Sequence, residues 1–192
     1  VQVSRALVLR SSARLLPVLR RFKIKPRSLL SGYRVKILDG NPLQASERRI
    51  AERRAIWDAP LPGTALVVWD QPTRLISDVF LTEDGHAQER SLLGDVLDTV
   101  TKEDLWIADR NFCTRGFLFG LWARQARFVI RQHGSLPGEL PGKRRLIGRS
   151  ERVYEQTLRL TYQGHERMVR RVTVMLQKPT RDGATELHIV TN

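Results

Sequence analysis

The sequence predicts a mixed α/β sheet with flanking helices, extended at its C-terminal side by a β-rich segment. Three observations carry this. Apolar runs of strand length occur at residues 65–69 and 105–108, and Arg127-Phe128-Val129-Ile130-Arg131 reads as a further strand. Segments with helical spacing of apolar residues separate them, and after residue 143 the pattern becomes strand-like alternation between turn signals. At 192 residues the chain is long enough for one well-buried core with an appendage. Its composition shifts divide it into a basic helical segment at 1–32, a sheet-based core at 33–133, and a linker with β-rich strands at 134–192.

Residues 3–22 place Val3, Leu7, Leu15, Leu19 and Phe22 near helical spacing, with Arg5, Arg10, Arg14, Arg20 and Arg21 among them. A basic amphipathic helix is expected, with Pro17 as a kink and a break at Lys25-Pro26-Arg27. Its arginines suit either phosphate contact or the outer face of a packing helix. From Tyr33 to Leu38 the pattern is a strand, stopping at Asp39-Gly40-Asn41-Pro42, which is ordinary turn chemistry. Residues 46–57 form a charged helical segment that Ser46 could cap.

Residues 65–69 and 75–81 then pair as a β-hairpin around Asp70-Gln71-Pro72-Thr73, with Asp70 explained by the turn. Residues 87–100 bring Leu92, Leu93, Val96, Leu97 and Val100 to one helical face that covers the sheet. Asp104–Asp109 reads as a buried strand. Thr114 reads as the N-cap of a helix with Phe117, Leu118, Leu121, Trp122 and Gln125 on one face, and residues 127–131 as the next strand. A Gly/Pro-rich linker at 134–142 leads through Lys143-Arg144-Arg145 to strands at 152–162, 166–177 and 185–191, a basic β-meander turning at Gln163-Gly164 and Asp182-Gly183.

The net charge of +13 is unevenly distributed: residues 1–38 carry +10, residues 39–110 carry −6, and residues 111–192 carry +9. An acidic centre between basic flanks suits an enzyme acting on a polyanion, with carboxylates holding cations and arginines holding a phosphate backbone. A solvated basic surface would give the same numbers. The single cysteine, Cys113, excludes a disulfide framework and a Cys-rich zinc site, which points to a reducing, cytoplasmic compartment. It reads as a small buried residue, with no nearby histidine to make it a nucleophile. His133, His165 and His188 lack metal-ligand spacing, and no Gly-rich phosphate loop is present. No apolar run is long enough to span a membrane, so no membrane partner is expected.

Two aspartates, Asp39 and Asp109, follow apolar strand-like runs, and ligands of open α/β sheets sit at the carboxyl ends of strands. Paired carboxylates suit Mg²⁺, a hard cation that prefers oxygen ligands. The chemistry that uses such a pair is phosphodiester cleavage or strand transfer, in which two ions about 3.5–4 Å apart stabilise attacking and leaving oxygens.

The wording of the chain adds to this. Leu38-Asp39-Gly40-Asn41, the string Asp84-Gly85-His86-Ala87-Gln88-Glu89-Arg90-Ser91-Leu92-Leu93, and Leu105-Trp106-Ile107-Ala108-Asp109-Arg110-Asn111-Phe112 resemble the DDE transposases of bacterial insertion sequences, insertion sequence four type. The resemblance covers roughly residues 33–192. It implies a ribonuclease H-like mixed sheet with a β-strand insertion subdomain, Asp39 and Asp109 as catalytic, metal-binding acids, and Mg²⁺ or Mn²⁺ as cofactor. His86, Glu89, Arg90, Arg110 and Asn111 would support the site; as bare residues they equally suit caps, surface pairs and turn contacts. Arg144, Arg145, Arg159, Arg170 and Arg171, with Arg167, would meet DNA, or else are solvent-facing residues of an antiparallel sheet.

The family's third acid, a glutamate on a helix within a Tyr, Arg, Glu signature, has no match here: Glu139 falls in the linker and Glu186 in a strand-like run. The expectation is therefore a truncated transposase, unable to cleave DNA by itself, with a non-catalytic DNA-binding remnant as the alternative. Transposon ends and target DNA are the expected partners, a homodimer is one assembly the resemblance admits, and the nucleoid is the expected location.

Overall fold

The computed structural model describes residues 2–22, 27–42, 64–82, 88–147 and 152–192. The charged segment at 46–57, Cys-free and rich in arginine, lies outside these residues, as do Asp84, Gly85 and His86. The chain is a mixed α/β protein that divides into two compact units, Val1–Val100 and Thr101–Asn192.

The first unit holds α1 (Gln2–Arg21), β1 (Arg34–Pro42), β2 (Thr64–Asp70), β3 (Leu75–Leu81), a 3₁₀ turn at Glu89–Leu92 and a short α2 (Leu93–Leu97). The three strands form an antiparallel meander, β1 against β2 and β2 against β3, with a bulge between Val68 and Trp69. Val35, Leu38, Leu66, Val68, Phe80, Leu93 and Val96 are among its buried apolar side chains. Burial of this surface is the main favourable term in holding the unit together.

Three local expectations are corrected here. First, β1 does not stop at Asp39: pairing runs on through Asp39 opposite Val67 to Pro42 opposite Thr64, so the Asp-Gly-Asn-Pro string lies inside a strand. The ladder with β2 overrides its turn propensity, and Pro42 is tolerated as the last residue of the strand. Second, α1 forms and continues past Pro17 to Arg21, but its packed face is not the predicted apolar one. Arg5 bonds to Asp78 and the Ser12 hydroxyl donates to the Ile76 carbonyl, while Val3, Leu7, Leu15 and Phe22 remain exposed. A buried carboxylate on β3 selects the helix face that offers it an arginine. Third, the helix expected over 87–100 is not continuous across its described residues, 88–100. The Ser91 hydroxyl donates to the Gln88 carbonyl at 2.7 Å and that of Thr99 to Val96 at 2.8 Å, and these side-chain bonds compete with helix continuation at both ends.

The second unit holds β4 (Asp104–Ala108), a 3₁₀ turn at Arg110–Phe112, α3 (Arg115–Ala123), β5 (Arg127–Arg131), β6 (Arg145–Leu146), β7 (Val153–Tyr162), β8 (His165–Met175) and β9 (Glu186–Thr191). Strands β4 and β5 are parallel, joined through α3; β5–β9, β9–β8, β8–β7 and β7–β6 are antiparallel, giving a mixed sheet. The Thr114 side chain caps α3 by accepting from Phe117 N, as its sequence position predicts. Phe117, Leu118 and Leu121 are buried, but Gln125 is not on their face: it lies beyond the helix at φ +60° and is exposed.

The Gly/Pro-rich segment is not a free linker. Glu139 exchanges backbone bonds with Arg159 at 2.9 and 2.8 Å, and Leu136 is buried. Gly138 makes the close approach to β7 that this needs, since a Cβ there would stand 2.8 Å from Leu158 Cδ1 and 2.9 Å from the Arg159 carbonyl.

Candidate functional site

Five aspartates lie on or immediately after strands β1 to β4, and they fall into two kinds. Asp70, Asp78 and Asp104 are buried. Each is held by protein groups. Asp70 accepts from Arg34 Nε at 2.7 Å and from the Thr73 hydroxyl, Asp78 from Arg5 Nε and Nη2 at 2.8 and 2.9 Å, and Asp104 from Thr101 N at 2.9 Å. A carboxylate removed from water requires such partners, so these three are structural.

Asp39 and Asp109 are exposed, and each accepts a hydrogen bond from a neighbouring backbone N–H. Asp39 Oδ1 accepts from Gly40 N at 3.0 Å. Asp109 is the N-cap of the 3₁₀ turn, its Oδ1 accepting from Asn111 N at 2.7 Å. Their strands explain the placement: buried Leu38 precedes Asp39, and buried Leu105, Trp106 and Ala108 precede Asp109, so each acid leaves the core where the apolar run ends or faces outward. They belong to different compact units, one to each.

On the face of β1 opposite Asp39, Glu89 packs against the next residue, Gly40. A Cβ built on Gly40 would stand 2.5 Å from Glu89 Oε1 and 2.7 Å from Oε2, so the glutamate head rests directly on the Gly40 α-carbon. Spacing in sequence could not bring residues 40 and 89 together; only the packing of the 3₁₀ turn against the meander does. Arg90 is half-buried beside it, and His86 lies outside the described residues.

Around Asp109, Asn111 supplies the backbone N–H just described, which is the turn-satisfying role. Arg110 pairs with Asp182 at 2.9 Å, tying the turn after β4 to the connection between β8 and β9. The Thr180 hydroxyl and then Arg110 hold the Asp182 carboxyl down at about 2. Nothing in the sequence pairs residues 110 and 182.

The five arginines expected to meet DNA are engaged by protein groups. Arg144 pairs with Glu186 at 3.1 Å, Arg145 with Glu155 at 3.1 Å, Arg170 with Glu155 at 2.7 Å, and Arg159 with Glu139 and Glu166 at 3.1 and 3.5 Å. Arg171 Nε donates to Gln132 Oε1 at 2.7 Å. Surface pairs of this kind are worth about 0–1 kcal/mol, so a phosphate can replace the glutamate at little cost. The two late acids that lacked a family match, Glu139 and Glu186, are thus both partnered by arginine.

Two histidines serve local structure. His133 Nδ1 accepts from Ser135 N at 3.1 Å, and His188 Nδ1 lies 3.0 Å from the hydroxyl of buried Thr173. Cys113 is buried, as its sequence context suggests. Among the described residues no group of three or more His, Cys, Asp or Glu is placed to hold a metal ion, and no helix is long and apolar enough to cross a membrane.

No protein-family model matches this chain, and no curated protein matches it.

Proposed function

We propose that the chain is the core of a DDE-type transposase, acting on DNA through Asp39 and Asp109 as two of its metal-binding carboxylates, on a ribonuclease H-like scaffold. The observation that carries this is the division among the strand aspartates. Of the strand aspartates the resemblance leaves unassigned, Asp70 and Asp78 are buried and ion-paired and Asp104 is buried, whereas the two it assigns are exposed and each accepts from a neighbouring backbone N–H. Support for the scaffold comes from the chain order, an antiparallel three-stranded meander followed by parallel β4 and β5 joined by a helix.

The donor chemistry fits a hard divalent cation, because both groups are carboxylates with access to water. When bound, such an ion activates a nucleophilic oxygen and stabilises charge on phosphorus oxygens. The protein's own task is to present the two acids on fixed strands. The 3₁₀ turn fixes the Asp109 rotamer through Asn111 N. No third acid of the family's kind is assigned in this sequence, and the purified 192-residue chain is expected to bind DNA without cutting it.

A DNA-binding remnant without chemistry is the second reading, favoured by the arginine partners of Glu139 and Glu186. Isothermal titration with Mn²⁺ separates the two. The transposase reading expects Mn²⁺ binding that Asp109→Asn weakens at least several-fold while DNA binding persists. Unchanged Mn²⁺ titration in Asp39→Asn and Asp109→Asn supports the remnant, and DNA affinity that does not fall with salt sinks both.

A further inference from the structure

A cleft in the second unit lies between α3 and the β7–β8 hairpin, and neither Asp39 nor Asp109 lines it. It encloses about 390 Å³ and is lined by Phe119, Trp122, Tyr162, His165 and Arg167, with glycines at 116 and 120 of the helix. No acid lines it. The volume is in the range of sites that enclose small ligands, roughly 300–1,000 Å³.

The chain builds this cleft at a cost. Glycine in a helix interior is destabilising by roughly 0.5–1 kcal/mol relative to alanine, and Gly120 stands inside α3, one turn beyond Gly116 near its start, both lining the cleft. Gly116 has a packing reason, since a Cβ there would stand 3.3 Å from the Tyr162 hydroxyl. The hairpin turn at Gln163-Gly164, both residues at positive φ (+48° and +77°), sets Tyr162 and His165 directly opposite each other across the two strands.

The lining combines aromatic rings with cations. Phe119 and Tyr162 are 5.6 Å apart at 51°, Arg115 lies 5.9 Å from the Tyr162 centroid, and Arg167 lies 5.7 Å from that of Trp122. The three aromatic residues are only half-buried, whereas His165 and Arg167 at the rim are exposed. Purely apolar ligands would gain nothing from the guanidinium groups, and a simple anion would gain nothing from the rings. A planar aromatic ring joined to a phosphate satisfies both.

We propose that this cleft binds an unpaired nucleobase of single-stranded DNA, the base against Trp122 and Tyr162 and the adjoining phosphate at Arg167, with His165 beside it. The assignment rests on the reading that the chain acts on DNA, and it adds a site for single-stranded substrate that is separate from the carboxylates.

The test compares an eight-nucleotide oligothymidylate with an abasic oligomer of equal length and charge, each titrated by fluorescence anisotropy against the full chain. The thymidylate is expected to bind about tenfold more tightly, in line with base–aromatic stacking. Trp122→Leu should bring it to the abasic value and leave abasic binding unchanged. Arg167→Glu, at an exposed position, should weaken both oligomers without a change in melting temperature. Equal affinity of the two oligomers for the native chain would overturn the proposal, as would an unchanged ratio in a folded Trp122→Leu variant. Failure of the broader DNA reading looks different: neither oligomer would then bind in a salt-dependent way.

Discussion

Arg5 and Asp78 form a two-point ion pair, Nε to Oδ1 at 2.8 Å and Nη2 to Oδ2 at 2.9 Å, that fastens α1 to β3. The same guanidinium lies 4.5 Å from the centre of the Phe80 ring. The Asp78 bonds and charge push the Arg5 guanidinium up against an opposing burial effect. Because Asp78 is only 6% exposed, removing its partner leaves a carboxylate with little access to water. Arg5→Ala should lower the unfolding free energy by about 1–3 kcal/mol in urea titration. Arg5→Lys should recover only part of this, since an ammonium cannot reproduce the fork.

The two kinds of aspartate predict opposite stability outcomes for the same substitution. Asp70→Asn removes the charge from a side chain that is 1% exposed and paired with Arg34, and should cost about 1–3 kcal/mol by thermal or urea melts. Asp109→Asn keeps an oxygen that can accept from Asn111 N and should stay within about 0.5 kcal/mol of the native chain. A large loss at Asp109 would make it a structural residue like Asp70.

Gly40→Ala presents a close approach that is cheaper than its distance suggests. The new methyl would stand 2.5 Å from Glu89, but against the far end of a flexible side chain. The glutamate can swing away, and alanine suits a strand better than glycine does, so the net change should be within about 1 kcal/mol. Combining it with Glu89→Ala should then be no worse than Glu89→Ala alone, as a double-mutant cycle measures.

Asn192 acts as a side-chain extension of the β5–β9 ladder. Its Oδ1 accepts from Phe128 N and its Nδ2 donates to the Ala126 carbonyl, both at 3.0 Å, at the point where β5 begins. Asn192→Ala should cost about 1–3 kcal/mol, and hydrogen exchange of the Phe128 amide should accelerate.

Asp182 makes the pH dependence explicit. Its folded value of about 2 lies below its ordinary 3.8, because the Thr180 hydroxyl and Arg110 favour the charged form. Its contribution to stability is present above 3.8 and is lost as pH falls through about 2. Carboxyl NMR titration should show the value rising in Arg110→Ala, yet only part of the way, since the Thr180 bond is the larger cause. His188 is likewise lowered, first by burial and then by Arg171. Its folding contribution is complete above 6.5 and fades as pH falls toward the depressed folded value.

Strands were legible in the sequence wherever an apolar run met a clear boundary: 64–70, 75–81, 104–108 and 127–131 all form close to where the pattern puts them. Departures occur where a long-range contact outbids a local preference. Asp39-Gly40-Asn41-Pro42 carries strong turn chemistry, but the ladder with β2 holds it extended. In α1 the apolar stripe is correctly placed on a helix, but the ion pair from Arg5 decides which side packs. Exposure of Asp39 and Asp109 could not be read locally either, because Asp70 also ends an apolar strand and is buried. What separates them is the presence of Arg34 and Thr73 beside Asp70, and that depends on the fold. Both partners of Arg110 and Gly40, at 182 and 89, are equally invisible to spacing.

The order of the strands in the second unit has a consequence during synthesis. Strand β5, at residues 127–131, finds its antiparallel neighbour only in β9, at residues 186–191. Until β9 emerges, one flank of β5 offers unpaired amides and carbonyls beside buried Phe128 and Ile130, an invitation to wrong partners. The β7–β8 hairpin can form earlier from local contacts, and the strap at Glu139 covers part of the other flank of β7. The unit therefore closes last at its middle, so substitutions in β9 should harm the yield of soluble protein more than equivalent ones in β7.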